Sequence, residues 1–234
     1  MAFTLVLGSK NYSSWSMRAW LLLRFAGTPF VERVIDLYTA RSRDEVRALG
    51  GQTGLVPVLI DGDTTIWDTL AITEYLYESY PAIWPESRRL RARGRSLSGE
   101  VHSSLNFMRN AMPMNTRGRN RVANITPEVA ADLRRVREIW DTCLDEFGGP
   151  WLLGEFCAAD IMFAPVVTRF QTYGVAVTGH AREYYESLLG HPLVIEWLDC
   201  GKAENLVLEQ FELPTSPGLS PGAVASGVHN RAGG

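Results

Sequence analysis

The chain has 234 residues, 46% hydrophobic and 21% charged, the balance of an ordinary globular protein with one large domain or two small ones. A formal net charge of −3 excludes a general electrostatic attraction to nucleic acid or acidic membranes.

Phe3–Leu7 (FTLVL) reads as a short buried strand, and residues 16–26 (SMRAWLLLRFA) as a helix stopped by Gly27 and Pro29. Residues 31–37 (VERVIDL) alternate like a strand, so the three segments form a βαβ unit long enough for a parallel pair. A short helix is expected over residues 42–49, ending at Gly50-Gly51. Two apolar runs, residues 56–60 and 64–67, flank Asp61-Gly62-Asp63 and read as a hairpin. A helix then runs over 69–80 until Pro81. From residue 88 to about 209 the periodicity is helical, with no strand. Leu90, Leu97, Val101, Leu105, Met108 and Met112 share one face, and Val129, Leu133, Val136, Ile139, Trp140 and Cys143 another. Residues 214–234, rich in Pro, Gly and Ser, read as a disordered tail. The expected organisation is an α/β domain over residues 1–82 and an all-helical domain over 87–210.

No apolar run reaches membrane-spanning length, and no basic segment followed by an apolar core opens the chain, so no membrane partner and a cytoplasmic location are expected. Cys143, Cys157 and Cys200 are far apart and lack metal-ligand spacing, which predicts neither a disulfide framework nor a metal. The five arginines of RRLRARGR, at helical spacing in an acidic chain, read as a solvated helix face.

Three features call for a chemical reason. Pro57 interrupts an apolar run and removes a ladder donor, so it marks an edge strand, a bulge, or a cis Val56–Pro57 bond that turns the Val56 backbone toward a ligand. Asp68 or Thr69 is a natural N-cap for the following helix. The same helix start can bind a carboxylate, aided by the Thr69 hydroxyl, while Asp68 takes an ammonium; together they fit an amino-acid end group. Finally, Ser13, Ser14 and Ser16 precede the first helix with Trp15 among them. An unaided Ser hydroxyl ionises too weakly to act as a base, so its chemistry is donation to an anion. A hydrogen bond to a charged group contributes about 1.5–3 kcal/mol. That lowers a bound thiol's pKa by roughly one to two units from about 8.5. The first domain has no cysteine, so the thiol must belong to a ligand.

In this order, and followed by an all-helical domain, these features resemble the cytosolic glutathione transferase family over residues 3–210. The serines followed by Trp and Arg resemble the Ser-type centre of its zeta, theta and delta classes, closest to zeta. VPVL resembles the family's cis-proline strand, WDTLAITEYL its acidic-residue-plus-Ser motif, and GEFCAADIMFAPVV its buried capping box. The resemblance implies a thioredoxin-like N-terminal domain, a helical C-terminal domain and a homodimer. It places the γ-glutamyl end of glutathione at Asp68–Thr69, its cysteinyl backbone on Val56 beside Pro57, and its sulfur near Ser13 or Ser14, flanked by Trp15. Spacing leaves both serines open, Ser14 being four residues before Arg18. The electrophile pocket falls on VHSSLNFMRNAMPMN, with His102, Phe107, Arg109, Met112 and Asn115 as candidates.

The implied activity is attack of the glutathione thiolate on a hydrophobic electrophile. Alternatives are glutathione-dependent cis–trans isomerisation of a maleylacetoacetate or maleylpyruvate, and a non-catalytic partner-binding protein of the same fold. Three positions depart from the pattern. Leu55 stands where Lys or Arg is usual before the Val-Pro pair, Thr69 replaces Ser, and Cys157 occupies a Ser/Thr capping position.

Overall fold

A computed structural model describes residues 2–216. Four strands, β1 (Phe3–Leu7), β2 (Phe30–Val34), β3 (Val58–Asp61) and β4 (Thr64–Trp67), form one mixed sheet in the order β2-β1-β3-β4. β1 pairs parallel with β2 and antiparallel with β3, which pairs antiparallel with β4. The crossover from β1 to β2 is helix α1 (Ser14–Phe25), and α2 (Ser42–Ala48) and α3 (Thr69–Tyr77) complete the α/β part. β2 is an exposed edge and ends three residues earlier than the alternation suggests. The internal strand β3 starts after Pro57, so the proline costs the ladder nothing; the Val56–Pro57 bond is cis.

The remainder is helical: α4 (Arg88–Ser103), α5 (Asn106–Ala111), α6 (Pro127–Phe147), α7 (Ala158–Tyr173), α8 (His180–Leu189) and α9 (Pro192–Ala203). Their ends follow from local chemistry. Thr126 and Pro127 open α6, Gly148 closes it in a left-handed cap, and Gly174 closes α7 likewise. At the start of α7, Asp160 accepts the N–H groups of Leu152 (3.1 Å) and Cys157 (2.9 Å), anchoring the N-cap that Cys157 occupies. Burial pushes the Asp160 carboxyl up to about 6.

One apolar core runs through both parts. α1 is buried on nearly all sides because it lies between the sheet and α7, which explains its lack of amphipathic pattern. Trp20 meets Trp197 of α9 edge-on, and Phe25 meets Phe156. A smaller cluster, Val6, Ile35, Val46 and Val58, covers the other sheet face.

Two expectations fail in the helical part. The continuous face drawn from Leu90 to Met112 is broken at Leu105, whose φ of 60° ends α4 and turns the chain into α5. Asp132 of α6 stabilises that break by accepting the Met108 N–H at 2.9 Å, a contact too distant in sequence to anticipate. The tail expected from residue 214 is also corrected at its start. Val122 N–H donates to Pro214 O, Ser216 N–H to Asn120 O, and Thr215 forms an antiparallel bridge with Arg121. Residues 217–234 lie outside the described residues. Among the described residues, no helix is long and apolar enough to cross a membrane.

Candidate active site

A cleft of about 890 Å³ opens between the C-terminal side of the sheet and the α4–α5 region. Its walls include Ser13, Ser14, Trp15, Val56, Pro57, Trp67, Asp68, Thr69, His102, Arg109 and Arg169.

The two serines differ in what they touch. Ser13 is the N-cap of α1: its Oγ accepts from Ser16 N at 3.3 Å and donates to Ser16 Oγ at 2.8 Å, which accepts from Gly8 N at 2.9 Å. That chain ties the end of β1 to the start of α1. The helix thus begins two residues earlier than the sequence suggests, because Ser13 caps it. Ser14 is the first helical residue; its Oγ accepts from Arg169 Nη2 at 3.3 Å, and among the described residues its own proton has no acceptor.

Asp68 caps α3 by accepting from Leu70 N at 2.8 Å, and its other oxygen lies 3.2 Å from His102 Nε2. Its backbone sits at φ 75°, ψ 139°, a region glycine favours. Such a conformation costs about 1–3 kcal/mol and clusters at ligand sites. Beside it the Thr69 Oγ1 is buried with no partner among the described residues. The backbone groups of Val56 likewise carry no hydrogen bond within the described residues. A cap carboxylate, an orphan hydroxyl and a free backbone at Val56 along one wall fit the ends and middle of a small peptide.

Three arginines cluster here, Arg109 and Arg169 on the cleft wall and Arg18 buried behind its lining. The guanidinium of Arg18 lies 4.7 Å from the Trp15 ring centroid and that of Arg109 5.0 Å, while His102 meets the same ring edge-on at 4.9 Å. Arg18 donates to Met162 O; Arg109 donates to His102 O and Val101 O, capping the carbonyl end of α4; Arg169 donates to Met112 O and Pro165 O. Among the described residues none of the three makes an ion pair with a carboxylate. Burial lowers the pKa of all three, aided for Arg18 and Arg169 by mutual repulsion with Arg109, and Arg169 falls to about 10. Burial, reinforced by Arg18 and Arg109 against the pull of Asp68, also lowers that of His102, which keeps the imidazole neutral at pH 7.

The expected electrophile residues are not all in one place. His102 and Arg109 line the cleft, but His102 faces Asp68 at the end assigned to the γ-glutamyl group. Phe107 is 56% exposed, Met112 is fully buried, and Asn115 is buried with its amide on Glu212 Oε1 at 2.9 Å. The break at Leu105 rotates these three out of the cleft and leaves Asn106, Asn110, Pro113 and Met114 in it. Sequence reading missed Arg169, Trp67, Tyr12, Tyr38 and Phe211, all of which line the cleft. Only Arg169 had a signal, as a cation in the otherwise apolar run IMFAPVVTRF. Phe211 comes from segment 204–216, which folds back along the first domain and packs its ring against Tyr12 and Tyr38. Tyr12 donates to Glu212 Oε1 at 2.5 Å, Arg121 pairs with Glu212, and Arg117 donates to Glu204 O, Leu206 O and Tyr12 Oη.

Residues 12–79 match the family model for the glutathione S-transferase N-terminal domain, and residues 125–200 that for its C-terminal domain. A dichloromethane dehalogenase of Methylorubrum extorquens is 42% identical over 22% of this chain and 18% of its own length. A glutathione S-transferase 1 of Dianthus caryophyllus is 30% identical over 47% of this chain and 50% of its own. The chain therefore spans half or less of these two relatives. Among solved structures, a glutathione transferase homolog from Burkholderia with bound glutathione superposes with a TM-score of 0.66 at 26% identity, covering 87% of this chain and all of that one. With both domain models matched in order and a solved relative aligned along its whole length, the chain belongs to the glutathione S-transferase family.

Proposed function

We propose that this protein is a Ser-type, zeta/theta-like glutathione S-transferase that uses Ser14 to hold the glutathione sulfur as thiolate. The observation that carries the reading is the Ser14 hydroxyl: it sits at the N-terminus of α1 in the cleft, accepts from Arg169, and keeps its own proton for a ligand. Ser13, spent on capping α1, is the structural member of the pair. Glutathione is proposed to lie with its γ-glutamyl ammonium on Asp68, its carboxylate at Thr69 and the start of α3, and its cysteinyl backbone on Val56 beside Pro57. Trp15 then flanks the sulfur. The thiol proton leaves to solvent, the Ser14 hydrogen bond and the helix N-terminus stabilise the thiolate, and a C–S bond forms as the electrophile's leaving group departs or its double bond takes up a proton.

A hydrophobic electrophile is proposed to enter between Trp15, Arg109 and Phe211. The isomerase alternative draws on one observation, the buried Arg169 in the cleft, which pairs with no carboxylate among the described residues and suits a maleyl-type carboxylate. The non-catalytic alternative is disfavoured by the free hydroxyl at Ser14 and the orphan one at Thr69. A homodimer, a cytoplasmic location and a role in detoxification belong to the same proposal.

Glutathione-agarose retention and turnover of chlorodinitrobenzene test it. Wild type is expected to be retained and active, Ser14→Ala retained with activity strongly reduced, and Ser13→Ala active. A wild type that neither binds glutathione nor turns over any electrophile refutes the enzyme reading. Faster turnover of maleylpyruvate than of chlorodinitrobenzene selects the isomerase.

A further inference from the structure

The cleft contains a group that thiol activation by a serine alone does not require. Arg169 is buried on α7 between Thr168 and Phe170, with its side chain reaching the cleft. A buried guanidinium without a carboxylate is costly unless its charge is used. Two of its donors hold it rigidly, Nε on Met112 O at 2.8 Å and Nη1 on Pro165 O at 3.1 Å, which directs Nη2 at Ser14 Oγ.

We propose that Arg169 is a positioning residue for the thiol chemistry: it occupies a lone pair of Ser14 Oγ so that the hydroxyl proton faces the sulfur, and its charge polarises that hydroxyl as a donor to the thiolate. This rests on the glutathione reading above and adds the element that distinguishes the two serines. Among the described residues Ser13 has no such cation; its side-chain partners are the hydroxyl and N–H of Ser16. Among the other charged groups around the site, Arg43 of α2 also lines the cleft, and the rest are committed elsewhere. Arg109 caps α4, Arg18 is held on Met162 O, and Asp68 and His102 face each other. Tyr173, the one other group acting electrostatically on Arg169, donates to Pro113 O.

The test is a pH titration of the thiolate absorbance of enzyme-bound glutathione in wild type, Arg169→Met, Arg169→Lys, Ser14→Ala and the Ser14→Ala/Arg169→Met double variant, each with a thermal melt. Loss of one charge-assisted hydrogen bond raises the thiol's apparent pKa by about one unit, a tenfold change in ionisation. That shift is expected in Arg169→Met, a similar one in Ser14→Ala, no larger one in the double variant, and a smaller one in Arg169→Lys, which keeps the charge. Arg169→Met with a lowered melting temperature but an unchanged thiol overturns the inference, since a packing role moves only the melt. Additive shifts in the double variant also overturn it, because Arg169 would then not act through Ser14. Should Arg169→Met fail to fold, an unchanged thiol in both Arg169→Lys and Ser14→Ala overturns it. Wild type that fails to bind glutathione refutes the glutathione reading itself, whereas binding with a thiol indifferent to both residues refutes this inference alone.

Discussion

Replacing Ser13 by alanine should separate folding from chemistry in the NYSSWS loop. The substitution removes the cap bond to Ser16 N and breaks the Ser13–Ser16–Gly8 chain joining β1 to α1. Loss of an N-cap costs about 0.5–2 kcal/mol. The Ser16 hydroxyl loses its buried partner as well, so the total reaches about 1–3 kcal/mol. For a chain of this size each kcal/mol lowers Tm by about 2–4 °C, so a fall of about 2–12 °C is expected by calorimetry or circular dichroism. Ser14 Oγ and its contact with Arg169 are not part of the chain that is lost, so kcat/KM with chlorodinitrobenzene, measured well below the transition, should stay within about threefold, a barrier change under about 0.7 kcal/mol. A Ser13→Ala variant with unchanged Tm and activity lost tenfold or more would refute the assignment of capping to Ser13 and chemistry to Ser14.

Asp68→Gly should leave Tm unchanged or raised, because glycine relieves a strained φ of 75° worth about 1–3 kcal/mol while costing only a few tenths as a cap; retention on glutathione-agarose should be lost, and persistence of retention would refute an ammonium contact at Asp68. Asp160 holds its proton more tightly when folded, with a pKa of about 6 against 3.8, so its contribution to stability is fully present below about pH 4 and is lost as pH rises through about 6, a change of about 3 kcal/mol. Denaturant titrations of Asp160→Asn should show that component of the pH slope removed, together with a loss of about 1–3 kcal/mol from the N–H of Leu152 or Cys157 left unpaired. Cys157→Ser restores a hydroxyl at the N-cap of α7 and should stabilise by about 0.5–2 kcal/mol in a thermal melt with kinetics unchanged. Glu212→Ala removes the carboxylate gripped by Tyr12, Asn115 and Arg121, and limited proteolysis should then cut segment 204–216 faster than in wild type.

Much of the α/β part was legible in the sequence because its signals are local. The Asp61-Gly62-Asp63 turn sits between two short apolar runs, Pro57 precedes a strand it cannot join, and Asp68 precedes a helical period. The electrophile side was less legible for the opposite reason. Phe107, Met112 and Asn115 share a stretch with His102 and Arg109, yet their directions depend on the left-handed turn at Leu105 and on Asp132 meeting Met108. Segment 204–216 carries no periodic pattern, and its place at the cleft is set by Glu204 and Glu212 meeting loop 9–11, Tyr12 and Arg121.

The sequence by itself determined the order of strands and helices in the α/β part and the three stretches from which a glutathione cradle would be assembled, because turn chemistry and hydrophobic period act over a few residues. It left Ser13 and Ser14 equivalent, since both are small hydroxyls at one helix start. Only the tertiary structure separated them, by packing α7 against α1 and so bringing Arg169 across 155 positions of chain to one hydroxyl and not the other.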